Sequence, residues 1–302
     1  MTNDEIIEQI KTNHRFRRYW MKAKAKLDRQ LEAFVRIEYT KWPAAESEAE
    51  RKKEAAVARS LIKAAKAGDG TLDLLMMVQT TMAARAPANT EKLDREKTMK
   101  KLATALPVKA WIKSVYGADF LGLATIVAEA GGSLDRFPNV AKLWSRLGYA
   151  PYDGHAGSTW KRDTWRPRAL TKEEWTEHPF SGERYGMMRS IADSLFRAQW
   201  IGAKNDPDGE GKPDGPYGEI YAKRRAHTAV THPDWTKGHS HSDALRIMFK
   251  CFLADLWEEW NNENLGHRIV VPPRDPAGCA EIAAADQSPV DAHEHRVGGG
   301  PS

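Results

Sequence analysis

The chain of 302 residues is long enough to bury a sizeable core in one large or two medium domains. Charged residues make up 29% of the chain and hydrophobic residues 41%, which predicts a mostly globular protein. No signal-peptide pattern is present, and no apolar run approaches the length of a membrane span. Two cysteines are too few for a disulfide framework, so we expect a cytoplasmic protein with no membrane partner.

The net charge of +5 is unevenly distributed along the chain. Residues 1–66 hold 16 Lys and Arg against 10 Asp and Glu, whereas residues 269–302 hold 2 against 5. A basic front part predicts a polyanionic partner, either DNA or structured RNA. The alternative is that these charged side chains lie on the solvent-exposed faces of amphipathic helices and bind no partner.

The first hundred residues predict a basic helical arm or hairpin over residues 1–98. Apolar residues at helical spacing indicate helices over residues 3–41, 45–67, 72–86 and 91–105. Trp42-Pro43 ends the first helix, and the segment "APANT" separates the third from the fourth. Antiparallel helices of this kind also suit a homodimer through the N-terminal helices. The first helix carries a basic run with four candidate nucleic-acid contacts: Arg15, Arg17, Arg18 and Lys22.

A helix-hairpin-helix is predicted over residues 115–151. The turn "YGADFLG" precedes an apolar helical pattern, "GGS" ends that helix, and a short amphipathic helix runs to Gly148. Ser133 and Asp135 are expected to cap the second helix. A glycine turn at a helix N-terminus leaves backbone N–H groups free for a phosphate, so Gly117 and Gly122 are candidate nucleic-acid contacts.

The hairpin resembles the C-terminal, serine-bearing half of the DEDD/RuvC-like insertion-sequence transposases of the IS one-ten group. Residues 181–200 resemble the basic entry to the next helix of this family, and residues 237–260 are similar to the terminal helix of its phage- and prophage-borne branch. The resemblance covers about half of the chain, residues 99–260. It implies DNA binding, DNA recombination and an origin in a phage or mobile element. It also implies a transposase-C-terminal-like helical domain over residues 99–268. The residues that carry it are Gly117, Glu129, Gly131, Phe137, Lys142, Leu143, Gly148 and Pro151.

The chain departs from this family at its catalytic parts. No strand pattern in the first hundred residues offers the carboxylates that a metal-dependent nuclease domain needs. Asp119 stands at the second glycine of the phosphate-binding turn, and Ala156 stands where the family has its serine. Ser158 is the remaining candidate nucleophile, and the alternative is an ordinary loop serine.

An irregular basic stretch follows the hairpin. Its four basic residues are further candidate nucleic-acid contacts, and its interleaved tryptophans suit base stacking. The basic residues are Lys161, Arg162, Arg166 and Arg168, and the tryptophans are Trp160, Trp165 and Trp175.

The histidines near the C-terminus do not follow zinc-ligand spacing, so neither a metal nor another cofactor is predicted. The segment "KGHSHSDALR" is expected to be a loop that enters a helix capped by Ser242. The remaining helices are predicted over residues 186–203, 217–229 and 242–262. Residues 269–302 form a tail that is predicted to be disordered.

These patterns together predict a mainly α protein: a helical arm, a helical domain that contains the helix-hairpin-helix, and a disordered tail. The favoured function is nucleic-acid binding without catalysis by the chain alone. One alternative is a serine-dependent DNA strand-transfer enzyme, a transposase or recombinase. The other is a phage protein-interaction module, which apolar residues on two faces of the arm would favour.

Overall fold

A computed structural model describes residues 1–152, 155–156, 181–203 and 211–264 of the chain, and it confirms the mainly α fold. Two short antiparallel pairs, Pro151–Tyr152 with His155–Ala156 and Trp200–Ile201 with Lys212–Pro213, are the strands of these residues. The tail from residue 269 lies outside them. The helices are α1 (Asn3–Tyr39), α2 (Glu48–Lys66), α3 (Leu72–Ala103), α4 (Lys109–Ser114), α5 (Phe120–Ala130), α6 (Val140–Leu147), α7 (Gly182–Ala198), α8 (Pro216–Thr231) and α9 (Lys237–Asn264).

The chain divides into two compact units. The arm unit comprises Thr12–Lys101, and the second unit comprises Met1–Lys11 together with the chain from Leu102. Sequence analysis placed its boundary after residue 98. None of the described helices combines the length and the apolar character that crossing a membrane requires.

The arm unit has its own apolar core where α1, α2 and the start of α3 meet. Seven buried residues form it: Leu31, Val35, Ala58, Ile62, Ala65, Leu74 and Val78. A capping box begins α2, because the Ser47 hydroxyl accepts from the Glu50 N–H and the Glu50 carboxylate accepts from the Ser47 N–H. The predicted helices over residues 3–41 and 45–67 are thus confirmed as α1 and α2.

Away from this core, polar side chains join α1 to α3. Arg17 Nε lies 2.8 Å from Glu96 Oε1, and Arg85 Nε lies 3.4 Å from Asp28 Oδ1. Residue numbers rise along α1 as they fall along α3, so the two helices are antiparallel. We call these two ion pairs the polar seam. On α1, Arg17, Asp28 and Leu31 follow the same alternating three- and four-residue spacing, so the polar seam and the apolar core lie on one side of this helix.

The predicted break at "APANT" is wrong, because α3 runs through it as one helix with Pro87 inside. Proline removes one helical hydrogen bond and crowds the preceding turn, at a cost of about 3 kcal/mol in a helix interior. Contacts on both sides of Pro87 offset this cost. Arg85 is paired with Asp28, Ala88 is buried, and Asn89 accepts a hydrogen bond from Lys24.

The second unit is built around α9, whose residues from Ile247 to Leu256 are all buried. Three indole N–H groups tie this helix to the hairpin region. Trp144 donates to the Lys250 carbonyl at 3.1 Å, Trp257 to the Phe137 carbonyl at 3.3 Å, and Trp260 to the Ser133 hydroxyl at 3.0 Å. These three tryptophans therefore stabilise the interior of the second unit.

Two predicted helix caps are wrong. Asn139, not Ser133 or Asp135, caps α6 by accepting from the Lys142 N–H at 3.1 Å. Ser242 lies inside α9, which begins five residues earlier, and the Thr236 hydroxyl accepts from the His239 N–H. Ser133 and Ser242 instead use their hydroxyls in contacts between distant helices, which local sequence does not reveal.

Replacing Pro87 with Ala is expected to stabilise the protein by about 2 kcal/mol. The substitution restores a helical hydrogen bond, while greater freedom of the unfolded chain offsets part of the gain. Chemical denaturation would measure the change, with Thr90→Ala, at another exposed position of α3, as the control. An unchanged or lower free energy of unfolding would contradict a continuous α3.

Candidate nucleic-acid interface

The solvent face of α1 carries large aromatic side chains beside basic ones. Phe16 is 51% exposed and Tyr19 is 61% exposed, although both are large hydrophobic residues. Arg15 and Lys22 are exposed on the same side of the helix. We call Arg15, Phe16, Tyr19 and Lys22 the aromatic-basic patch. The Trp20 ring lies edge-on to Tyr19 with centroids 4.9 Å apart, which restricts the orientation of the Tyr19 ring.

The other two predicted contacts in α1 lie differently. Arg17 belongs to the polar seam, and its side chain is only 13% exposed. Glu96 also accepts from Lys92 at 3.0 Å. Burial acts to raise the pKa of Glu96, but the hydrogen bonds from Arg17 and Lys92 outweigh it, so that this pKa is lowered. Arg17 therefore stabilises the arm, and Arg18 is partly buried.

The turn before α5 does not leave the predicted N–H group free. Asp119 is the N-cap of α5, and its Oδ1 accepts from the Gly122 N–H at 2.7 Å. Gly117 has a φ of +87°, and a Cβ there would lie 2.3 Å from the Ala198 Cβ. Both glycines thus have roles in the fold: Gly117 permits close packing on α7, and Gly122 completes the cap.

The C-terminal end of α5 is held by three arginines. Arg184 Nε lies 3.1 Å from Glu129 Oε2, and the Glu129 side chain is only 4% exposed. Arg146 donates to the Glu129 carbonyl at 3.2 Å, and Arg136 donates to the Gly131 carbonyl at 2.9 Å. Burial and then the neighbouring Arg184 and Arg136 lower the pKa of Arg146, against the opposing effect of Glu129. These cations satisfy helix-end carbonyls and a buried carboxylate.

Several predicted site residues lie outside the described residues. These are the candidate nucleophile and the basic, tryptophan-bearing stretch: Ser158, Trp160, Lys161, Arg162, Trp165, Arg166, Arg168 and Trp175. Their roles stay predictions.

The histidines near the C-terminus are dispersed. His227 and His239 are exposed, and the His232 ring stacks on Trp235 with centroids 4.1 Å apart. His241 Nδ1 lies 2.8 Å from the Tyr221 hydroxyl. Within the described ranges, no three His, Cys, Asp or Glu side chains converge as metal ligands would.

Sequence reasoning missed a cluster of arginines between α8 and α9. Arg224 Nε lies 2.5 Å from Asp243 Oδ2, and Arg246 Nη2 lies 2.8 Å from Asp243 Oδ1. Burial opposes ionisation of Asp243, but the hydrogen bond from Arg224 and the charge of Arg246 outweigh it and lower the pKa. The adjacent arginines Arg224 and Arg225 are the signal that the sequence offered, but the partner of Arg224 lies on another helix.

No protein-family model, curated protein or solved structure matches this chain. The resemblance to the C-terminal half of insertion-sequence transposases therefore stays an expectation from the sequence.

Two substitutions at Asp119 separate its capping role from phosphate binding. Asp119→Asn keeps a side-chain acceptor for the Gly122 N–H, so stability and DNA affinity are both expected to stay unchanged. Asp119→Ala loses the cap and should cost about 1 kcal/mol. Thermal melting and a DNA-binding titration would measure both effects. A rise in DNA affinity for Asp119→Asn would show that the turn faces phosphate after all, because only the charge is removed.

Arg184→Met is expected to lower the free energy of unfolding by about 3 kcal/mol, because it removes the guanidinium that is ion-paired with the buried Glu129 carboxylate. The matched control is Arg197→Met on the same helix. Arg197 is 75% exposed and pairs with Asp193 at 2.9 Å, so its loss should cost below about 1 kcal/mol. Equal losses in urea denaturation would contradict a structural role specific to Arg184.

Proposed function

We propose that this protein binds nucleic acid through the aromatic-basic patch of α1. The observation that carries the proposal is the exposure of Phe16 and Tyr19, at 51% and 61%, between the exposed cations Arg15 and Lys22. The Arg95 guanidinium lies over the Phe16 ring, 5.6 Å from its centroid, and the exposed part of both rings is available for stacking. The opposite side of the same helix packs in the arm unit.

Base stacking accounts for the aromatic part of the patch. Each base that stacks on an aromatic side chain contributes about 1–3 kcal/mol, and every base offers a suitable face. Such contacts favour single strands or splayed bases and carry little sequence preference. The ligand class is therefore nucleic acid with accessible bases, either single-stranded DNA or structured RNA with loops.

The basic residues account for attachment to the backbone. Arg15 presents a planar guanidinium that can donate to two phosphate oxygens, while Lys22 acts as a point charge. Contacts of this kind give affinity without sequence choice. The basic stretch at Lys161, Arg162, Arg166 and Arg168 extends this proposal as a predicted second contact.

A role in a phage or mobile element is part of the same proposal and rests on the sequence resemblance alone. The N-terminal hundred residues fold as the helices α1 to α3, where the resembled transposases carry a metal-binding catalytic domain. We therefore propose a binding protein that acts in DNA recombination without cutting DNA by itself. Serine-dependent strand transfer through Ser158 is the alternative.

A second function, docking of a partner helix, is favoured by the spacing on α1. Thr12, Phe16, Tyr19 and Ala23 follow one another by four, three and four residues, which is the spacing that pairs helices. With the packed side of α1, this gives the arm apolar residues on two faces. A homodimer through the N-terminal helices is one form of such docking.

The aromatic variant Phe16→Ala/Tyr19→Ala is expected to weaken binding to a single-stranded oligonucleotide by about 2 kcal/mol or more, through lost stacking. The control is Ile37→Ala, at a 54% exposed position on the same helix, which should leave the affinity unchanged. Fluorescence anisotropy with labelled single strands, duplex DNA and a structured RNA would measure the affinities.

The same titration repeated over a salt series tests the basic residues. On duplex DNA, log affinity should fall linearly with log salt by about 0.9 for each phosphate contacted. Arg15→Gln should make this slope shallower by about 0.9, the value for one phosphate contact. Arg29→Gln, at an exposed control position on α1, should leave the slope unchanged. Absent or salt-indifferent binding, together with self-association that Phe16→Ala/Tyr19→Ala abolishes, would establish docking instead.

A further inference from the structure

A group of buried and half-buried polar side chains lies where α7, α8 and α9 meet, in the second unit. The Tyr221 hydroxyl lies 2.8 Å from His241 Nδ1 and accepts from Arg225 Nη1 at 3.3 Å. Arg189 Nη2 donates to the Ser242 hydroxyl at 3.2 Å. These residues come from three helices, so the fold alone assembles the group.

The His241 imidazole contacts the Tyr221 hydroxyl through Nδ1. A guanidinium can only donate, so Tyr221 accepts from Arg225, and either the Tyr221 hydroxyl or His241 Nδ1 is the donor of the second hydrogen bond. Burial, followed by the charges of Arg189 and Arg225, lowers the pKa of His241, while Asp193 acts in the opposite direction. These effects together favour the neutral imidazole.

The charges in this group are not balanced. Asp243 is ion-paired with Arg224 and Arg246, so its single negative charge is already shared between two cations. Within the part of the chain that the structure describes, Arg189 and Arg225 bond hydroxyl groups and pair with no carboxylate. Asp193 is close enough to act on His241, but its carboxylate pairs with Arg197 at 2.9 Å. Partly buried cations without a directly paired carboxylate are costly, and an incoming anion would relieve that cost.

Catalysis by Tyr221 does not fit the geometry. The Tyr221 side chain is only 3% exposed, and burial raises its pKa. Phe196 and Trp200 pack against its ring, with centroids 4.4 and 5.2 Å away. An enclosed, protonated hydroxyl cannot attack a bound phosphodiester. Tyr221 instead orients His241 and Arg225.

We propose that Arg189, Arg225 and His241 form a binding site for a phosphate group. The two guanidiniums provide several N–H donors, and their two positive charges match a phosphate dianion. His241 bonds Tyr221 through Nδ1, so its other ring nitrogen is the third polar group of the site. The phosphate can belong to a nucleic-acid backbone or to a free phosphate or phosphomonoester. The site is in a different unit from the aromatic-basic patch and does not depend on it.

Calorimetric titration of the full chain with inorganic phosphate, at constant ionic strength set with chloride, tests the site. Arg189→Gln and Arg225→Gln are each expected to weaken phosphate binding by about tenfold. The control Arg29→Gln removes the same charge from an exposed position of α1 and should leave binding unchanged. Nitrogen-detected NMR of wild-type imidazoles gives a readout that needs no variant: phosphate should shift His241 and leave the exposed His227 and His239 unmoved.

Two further ligands identify the source of the phosphate. If a mononucleotide binds with the same affinity as inorganic phosphate, the ligand is a free phosphate or phosphomonoester. If only a duplex without terminal phosphates binds, the ligand is the nucleic-acid backbone. No binding of any of the three, or an equal loss in Arg29→Gln, would overturn the proposal. Phe16→Ala/Tyr19→Ala should leave phosphate binding intact, so failure of this site and failure of the aromatic-basic patch are distinguishable.

Discussion

The burial of α9 is the constraint on which the second unit depends. A helix whose residues are buried from Ile247 to Leu256 has no solvent face along that stretch, so other helices must cover every side of it. The three indole hydrogen bonds from Trp144, Trp257 and Trp260 fix how the hairpin region meets this helix. The hydrogen bond from the Tyr217 hydroxyl to Asp255 Oδ2, at 2.7 Å, ties α8 to it in the same way. Polar atoms in this core therefore specify the neighbours of α9, while apolar area supplies the stability.

The basic residues of the chain fall into two groups that composition cannot separate. Arg17, Arg146 and Arg184 are committed to carboxylates or helix-end carbonyls and hold the fold together. Arg15 and Arg225 are not committed in this way among the described residues, and they lie beside aromatic rings. A count of positive charges thus overstates the surface that is available to a polyanion.

Much of the helical pattern follows from local sequence, whereas the contacts between helices do not. The limits of α1 and α2 were predictable because Trp42-Pro43 and the glycines after Lys66 stop a helix by backbone geometry alone. The continuity of α3 through Pro87 was not, because contacts with α1 offset an unfavourable local preference. Asp119 was recognised as a departure from the phosphate-binding turn, but its capping of α5 needed the backbone direction. The cluster at His241 depends on partners about 20 to 50 residues away, and spacing patterns do not report such distances.

The position of α9 in the chain also bears on the order in which the protein folds during synthesis. The arm unit is complete once residue 101 has left the ribosome, and its core joins helices that follow one another directly. The second unit cannot fully bury α6 and α7 until residues 237–264 emerge, because both helices pack against α9. Between these moments the nascent chain exposes apolar faces with nothing to cover them, and such surfaces are the ones that chaperones recognise. At a translation rate of about 5–20 residues per second, this exposed interval lasts roughly 10 seconds or more.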